Sequence, residues 1–223
     1  MIKQEFNFIF KDSYFKFRNL NDNMRMKSFT LEKELMNKYI NFKGSVCDVG
    51  CGTGEFLNFL EWKGKKYGME VNKSAITKAK KKKINFNKNI LNTSNKFDVV
   101  IFRGTLQHIE QPFYYLRRSF EALKKGGYLF ILQTPNIDSL HYRLFQDLPA
   151  LDSNQNFYQP SHRNLLQICK ILKFKHCKSS FPYLNSGYEK PVTDMFFFIL
   201  NFFKIYKKNV PFPGNMMNLV FRK

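Results

Sequence analysis

Nine residues, V-C-D-V-G-C-G-T-G (46–54), carry the first chemical signal in the chain. Gly50, Gly52 and Gly54 alternate with other residues directly behind a short apolar run. Glycine at a strand-to-helix turn lets backbone N–H groups approach a ligand closely, beside the N-terminus of the next helix. Two carboxylates frame this turn. Asp48 lies two residues before the first glycine, and Glu70 lies sixteen residues beyond Gly54, at the end of a second apolar run. A carboxylate at that edge can accept both hydroxyls of a ribose. The pattern G-x-G-x-G brings the third glycine one residue earlier than the dinucleotide fingerprint G-x-G-x-x-G. Glu55 stands where that glycine would be, and an acidic side chain is a poor neighbour for a pyrophosphate. A nucleoside cofactor without phosphate but with a positive centre suits this turn better. S-adenosylmethionine, with its sulfonium and ammonium, is such a molecule.

A second group of chemical residues follows another apolar run, in R-G-T-L-Q-H-I-E-Q-P (103–112). Arg103 can point into a crevice toward an acidic substrate group or a cofactor carboxylate, or it can pair with a local acid. Gln107 and His108 are pocket candidates, and His108 can serve as a base or as a hydrogen-bonding residue that shapes the pocket. Further on stand His141, Tyr158 and His162.

These residues need elements to position them. From Gly44 the chain alternates strands and helices, with strands expected at 45–50, 65–70, 84–87, 97–102 and 128–134. Helices are expected at 55–62 (ended by Gly64), 72–83 (capped by Asn72) and 112–124 (opened by Pro112 and ended by Gly126-Gly127). This alternation implies right-handed βαβ units and a doubly wound, mostly parallel sheet. Before it, 28–40 reads as a helix. After it, 136–160 reads as irregular, 161–173 and 194–208 as helices, and 174–181 and 215–222 as strands. The division expected is an N-terminal helical cap (1–43), a cofactor-binding core (44–136) and an acceptor-pocket segment that completes the sheet (137–223), forming one domain overall.

Four blocks in this order resemble the class I S-adenosylmethionine-dependent methyltransferases: V-C-D-V-G-C-G-T-G-E-F-L, Y-G-M-E-V-N-K-S-A-I, N-K-F-D-V-V-I-F-R-G-T-L-Q-H-I-E-Q-P and L-K-K-G-G-Y-L-F-I-L-Q-T-P-N. The T-P-N ending and the closing P-G-N-M-M-N-L-V-F-R-K resemble the small bacterial enzymes near the ubiquinone-type and polysaccharide-cluster subgroup. The resemblance implies a seven-stranded Rossmann-like sheet with helices on both faces and its last strand antiparallel. It implies a cofactor site of Asp48, Gly50, Cys51, Gly52, Gly54, Glu70, Val71, Asn89, Ile90 and Arg103. Asn89 takes the place where the family often has an aspartate near the adenine amine, and a carboxamide oxygen can accept the same bond. The implied acceptor side holds His108 as the catalytic candidate and Gln107, His141 and Tyr158 as substrate candidates. Asn156 stands roughly where relatives often carry a histidine. No metal is implied.

The activity expected is methyl transfer to a small molecule or glycan, at a hydroxyl. The alternatives are an RNA methyltransferase and a non-catalytic cofactor binder of the same fold. The net charge of +20 favours polyanionic partners, though heavy use of Lys, Asn, Ile and Phe also follows from A/T-rich codons. The run K-A-K-K-K-K (78–83) reads as a solvated helix face, with nucleic acid as the other reading. The apolar stretch 195–203 is about half the ~20 residues a spanning helix needs. It reads as a helix on the sheet edge or, with the basic 204–208, as a peripheral membrane contact. Four cysteines without a C-x-x-C read as reduced thiols of a cytoplasmic protein, one able to touch the inner face of the membrane.

Overall fold

The computed structural model describes residues 22–87, 89–151 and 156–223. Seven strands form one sheet in the order β3-β2-β1-β4-β5-β7-β6. They are β1 (Ser45–Val49), β2 (Lys65–Met69), β3 (Asn85–Phe86), β4 (Phe97–Arg103), β5 (Leu123–Pro135), β6 (Lys175–Ser180) and β7 (Met216–Arg222). The first five pair in parallel, and β7 runs antiparallel to both β5 and β6. The helices are α1 (Asp22–Asn37), α2 (Glu55–Phe59), α3 (Lys73–Lys80), α4 (Pro112–Ala122), α5 (Leu140–Phe145), α6 (His162–Ile171) and α7 (Pro191–Phe202). This is the Rossmann-like, doubly wound architecture expected.

The central strands are apolar on both sides because both faces of the sheet are covered. On one face Cys47, Val49, Val100, Phe102, Leu129 and Ile131 pack with Leu116 of α4 and Leu165 of α6. On the other, Val46, Val99, Ile101, Phe130 and Leu132 pack with Phe29 of α1, Phe56 and Leu57 of α2 and Ala79 of α3. Alternate residues of one strand therefore belong to different cores, as the pleat requires.

Several boundaries move for identifiable reasons. The helix expected at 28–40 begins earlier, at Asp22. The one expected at 55–62 stops at Phe59, and Glu61, at φ 54°, makes the left-handed turn assigned to Gly64. Gly64 serves a different purpose: a Cβ there would stand 1.6 Å from the Gly44 carbonyl oxygen. Asn72 caps α3, accepting the Ala75 N–H at 2.8 Å. Strand β5 starts at Leu123, which pairs with Phe97, and the register resumes at Tyr128 opposite Val99. The Gly126-Gly127 pair thus sits in an irregularity of β5 and does not end α4. Helix α5 interrupts the stretch expected to be irregular, with Ser139 as its cap. Helix α7 starts at Pro191, which needs no N–H partner in a first turn.

Candidate functional site

The glycine turn follows β1 at the carboxyl end of the parallel strands. Gly50, Gly52 and Gly54 all have positive φ (76°, 55° and 73°), a region that costs other residues strain. The N–H groups of Gly50 and Cys51 donate to the Met69 carbonyl at 2.8 and 3.2 Å. A Cβ on Gly50 would lie 2.3 Å from Cγ2 of Thr105, and one on Gly54 would lie 2.3 Å from Ile84 Cδ1. Lys82 donates its Nζ to the Thr53 carbonyl at 2.7 Å. Gly68 in β2 makes room for Cys51, whose Sγ would be 2.6 Å from a Cβ there. The sequence reading missed Thr105, Lys82 and Gly68. Only Gly68, a glycine inside a strand, carried a sequence signal of close approach.

Glu70 stands just past β2. Its Oε2 accepts the Gly52 N–H at 2.9 Å, and its Oε1 accepts those of Val71 and Asn72 at 2.8 and 3.0 Å. One carboxylate therefore ties the glycine turn to the start of α3. Asp48, 2% exposed, lies in β1 level with Gly68 of β2 and Ile101 of β4. The Cys51 thiol is pushed well up, first by burial and then by the negative charges of Asp48 and Glu70. That turn is therefore electronegative. Asn89 is exposed in the turn after β3, and Ile90 beside it is buried in the core. The Asn87 side chain organises this turn, accepting the Asn89 N–H at 2.9 Å.

Arg103 takes the local-acid reading. Its Nε donates to Glu32 Oε2 at 2.5 Å and its Nη2 to Oε1 at 3.1 Å. Ser28 also donates to Glu32, at 3.0 Å, and the guanidinium lies 4.3 Å from the Phe29 ring centroid. Glu32 is 1% exposed. Glu55 has a similar fate, since Arg25 of α1 pairs with it. The charge that spoke against a pyrophosphate is thus compensated, which leaves Asp48 and Glu70 as the acids that frame the turn.

Gln107 and His108 form a short 3₁₀ turn after β4. The Gln107 amide nitrogen lies 3.3 Å from the Gly104 carbonyl and 3.3 Å from His108 Nε2. An amide nitrogen can only donate, so His108 Nε2 accepts there. The Gln107 carbonyl receives the N–H groups of Phe157 and Tyr158, at 2.9 and 3.2 Å. This seats Tyr158 beside Gln107, as two substrate candidates on one corner. The Tyr158 hydroxyl and Gln107 Oε1 are buried without a hydrogen-bond partner among the described residues. Burial first, then Cys169, pushes the Tyr158 phenol up to about 12, so it stays protonated at neutral pH. Asn156 places its amide 3.4 Å from the Ala150 carbonyl.

His141 is not brought to this corner. Offered by the sequence as a substrate candidate, it is 1% exposed. Phe145, Phe198 and Phe212 surround its ring, and its Nδ1 meets the Asp147 carbonyl at 3.1 Å. His162 opens α6, with Nε2 2.8 Å from Ser179 Oγ on β6. Asn136, the last residue of T-P-N, joins three segments. Its Oδ1 accepts the N–H groups of Asp138 and His162, and its Nδ2 donates to the Gly214 carbonyl. Among the described residues, no cluster of three or more His, Cys, Asp or Glu side chains is placed to hold a metal ion.

A parallel sheet with a glycine turn after its first strand, an acidic residue after its second and an antiparallel seventh strand defines a Rossmann-like methyltransferase fold. Residues 22–175 match the family described as "Methyltransferase domain", and the chain belongs to that family. Solved structures agree on the fold. A SAM-dependent methyltransferase from Archaeoglobus fulgidus has a TM-score of 0.64 at 20% identity, over 94% of this chain and 99% of that one. A putative methyltransferase of Haloferax volcanii, solved with its Trm112 activator, reaches 0.68 at 12% identity over 100% and 99%. Magnesium protoporphyrin IX methyltransferase from Synechocystis PCC 6803, with bound SAH, reaches 0.59 at 15% identity over 90% and 84%. No curated protein matches the chain. S-adenosylmethionine is the cofactor of this class, and the electronegative glycine turn fits it.

Proposed function

We propose that the protein moves a methyl group from S-adenosylmethionine to a hydroxyl of a small-molecule or glycan acceptor. The observation that carries the cofactor half is geometric: a turn of three positive-φ glycines flanked by buried Asp48 and by a Glu70 carboxylate that the N–H groups of Gly52, Val71 and Asn72 hold in place. Glu70 and Val71 would hold the ribose side, with Asn89 toward the base. The glycine backbone, with Asp48 beneath it, would hold the amino-acid tail. When bound, the cofactor supplies a methyl group on a positively charged sulfur, already a good leaving group. The chain's task is then alignment and exclusion of water, which can supply much of the rate.

Support for a hydroxylic acceptor comes from the Gln107–Tyr158 corner. A buried carboxamide oxygen without a donor is costly, and a hydroxyl would satisfy it. His108 offers Nε2 to the Gln107 amide, which favours its pocket-shaping role. The sequence F-R-G-T at the end of β4 lacks the polar-Pro-Pro-aromatic block of many amino-group methylating enzymes of nucleic acid.

Titration calorimetry with S-adenosylhomocysteine tests this reading. Glu70→Ala is expected to weaken binding at least tenfold, about 1.4 kcal/mol. Circular dichroism on the same samples separates that loss from collapse of the turn. A folded wild type that binds no S-adenosylhomocysteine would refute the assignment. A screen of hydroxylated acceptors with labelled methyl donor then tests the acceptor class.

A further inference from the structure

Helix α7 turns an apolar face to water. Val192, Met195, Phe196, Ile199, Phe202 and Phe203 follow one another at steps of three, one, three, three and one residues. At this spacing they share about a third of the helix circumference. All six are exposed, Phe203 by 66% and Val192 by 86%. The opposite side holds the helix firmly. Asp194 is buried and accepts from the Tyr183 hydroxyl and the Lys190 N–H, at 2.9 and 2.8 Å. Phe198 stacks on Phe212 at 4.2 Å. The exposed stripe therefore belongs to a well-seated helix.

Its charge is one-sided. Lys190 precedes the helix and Lys204, Lys207 and Lys208 follow it, all exposed. Lys208 lies 3.9 Å from the Phe197 ring centroid, which keeps the basic end beside the helix. The acids of this segment are Glu189 and Asp194. Asp194 is buried, and Glu189 accepts from Ser186 Oγ and the Asn185 N–H. The face is thus apolar with cationic ends, and Glu189, half-exposed and bonded to Ser186 and Asn185, is the one acid of this segment that is not buried. It also lies at the carboxyl end of the sheet. α7 leads into β7, whose Met216 pairs with Pro135 at the end of β5, and Phe198 packs on Phe145 of α5.

We propose that this face docks on an anionic lipid surface, the stripe entering the boundary of headgroups and acyl chains and the lysines meeting the headgroups. Charge selects this occupant. A second copy would bring lysines against lysines. Residues 1–21 carry more basic than acidic side chains. A bilayer with anionic lipid offers both an apolar layer and negative charge. Among the described residues no helix is long and apolar enough to cross a membrane, so α7 would lie in the surface plane. This docking opens the crevice end toward the lipid surface and stands whether or not methyl transfer is the activity.

Flotation of the full-length protein with vesicles tests it, using phosphatidylcholine alone and phosphatidylcholine mixed with phosphatidylglycerol. The protein is expected on the mixed vesicles only. Phe202→Ser with Phe203→Ser should weaken binding about tenfold or more, as should Lys204→Glu with Lys207→Glu and Lys208→Glu. These side chains are exposed, so the melting temperature should hold. Lys78→Glu with Lys80→Glu and Lys81→Glu, on α3 and its C-cap, should leave flotation unchanged. A wild type that stays off the mixed vesicles would overturn the proposal. So would an equal loss in the α3 variant, which would assign binding to diffuse charge. A wild-type dimer that the phenylalanine variant dissociates, with no flotation, would give the face to a second copy.

Discussion

Replacing Arg103 by leucine separates two roles for this residue. Arg103 holds both oxygens of Glu32, and Glu32 is 1% exposed. The substitution leaves a carboxylate in the core with the Ser28 hydroxyl as its one remaining side-chain donor among the described residues. Breaking a buried pair on one side typically costs about 3–5 kcal/mol, because the remaining charge has lost its partner. In a domain of this size each kcal/mol is worth roughly 2–4 °C. Arg103→Leu should therefore lower the melting temperature by about 6–20 °C. Removing both charges, with Glu32→Leu and Arg103→Leu together, strands nothing. That double variant should regain most of the loss, within about 1 kcal/mol of wild type. Urea unfolding of wild type, Arg103→Leu, Glu32→Leu and the double variant gives the cycle, and calorimetry with S-adenosylhomocysteine gives affinity on the same samples. The double variant should bind S-adenosylhomocysteine nearly as well as wild type. If Arg103→Leu keeps full stability but loses binding, the pair is incidental and Arg103 is a cofactor residue after all.

Gly50→Ala places a Cβ against Thr105 at a φ of 76°, so calorimetry should show S-adenosylhomocysteine binding lost even where the protein stays folded. Burial lowers the His141 pKa, outweighing the Asp147 carbonyl and carboxylate that raise it. A depressed histidine contributes stability above its unfolded value of about 6.5 and loses it as pH falls. His141→Phe should flatten the fall in urea stability below that pH; an unchanged slope would assign it to other groups. Burial pushes up the thiols of Cys47, Cys51 and Cys169. A native thiol titration at neutral pH should therefore find at most the half-buried Cys177 reacting, and all four once the chain is unfolded.

The cofactor half was legible because its physics is local. F-D-V-V-I-F can only be a strand covered on both sides, and alternating glycines behind V-C-D-V leave little choice of turn. Asn72 announced its helix through a short-range capping bond, and Ser161 caps α6 in the same way. What stayed hidden depends on partners far along the chain. Glu32 lies 71 residues from Arg103, in a helix that the sequence set apart as a cap. L-H-Y-R-L-F lies in a stretch that reads as irregular until Phe198 and Phe212 arrive to enclose His141. The Gln107–Tyr158 corner rests on backbone bonds, which no side-chain pattern encodes.

The order of the strands has a consequence for how the chain is made. β7 is the last strand in sequence, yet it lies between β5 and β6. While residues 216–222 are still inside the ribosome, β5 presents an open edge and β6 has no strand to pair with. Synthesis at about 5–20 residues per second leaves that edge exposed for many seconds. An unpaired edge is a template for foreign strands. The β5 edge therefore stays open until residues 216–222 emerge, and a stop just before Met216 would remove the strand that pairs with both β5 and β6.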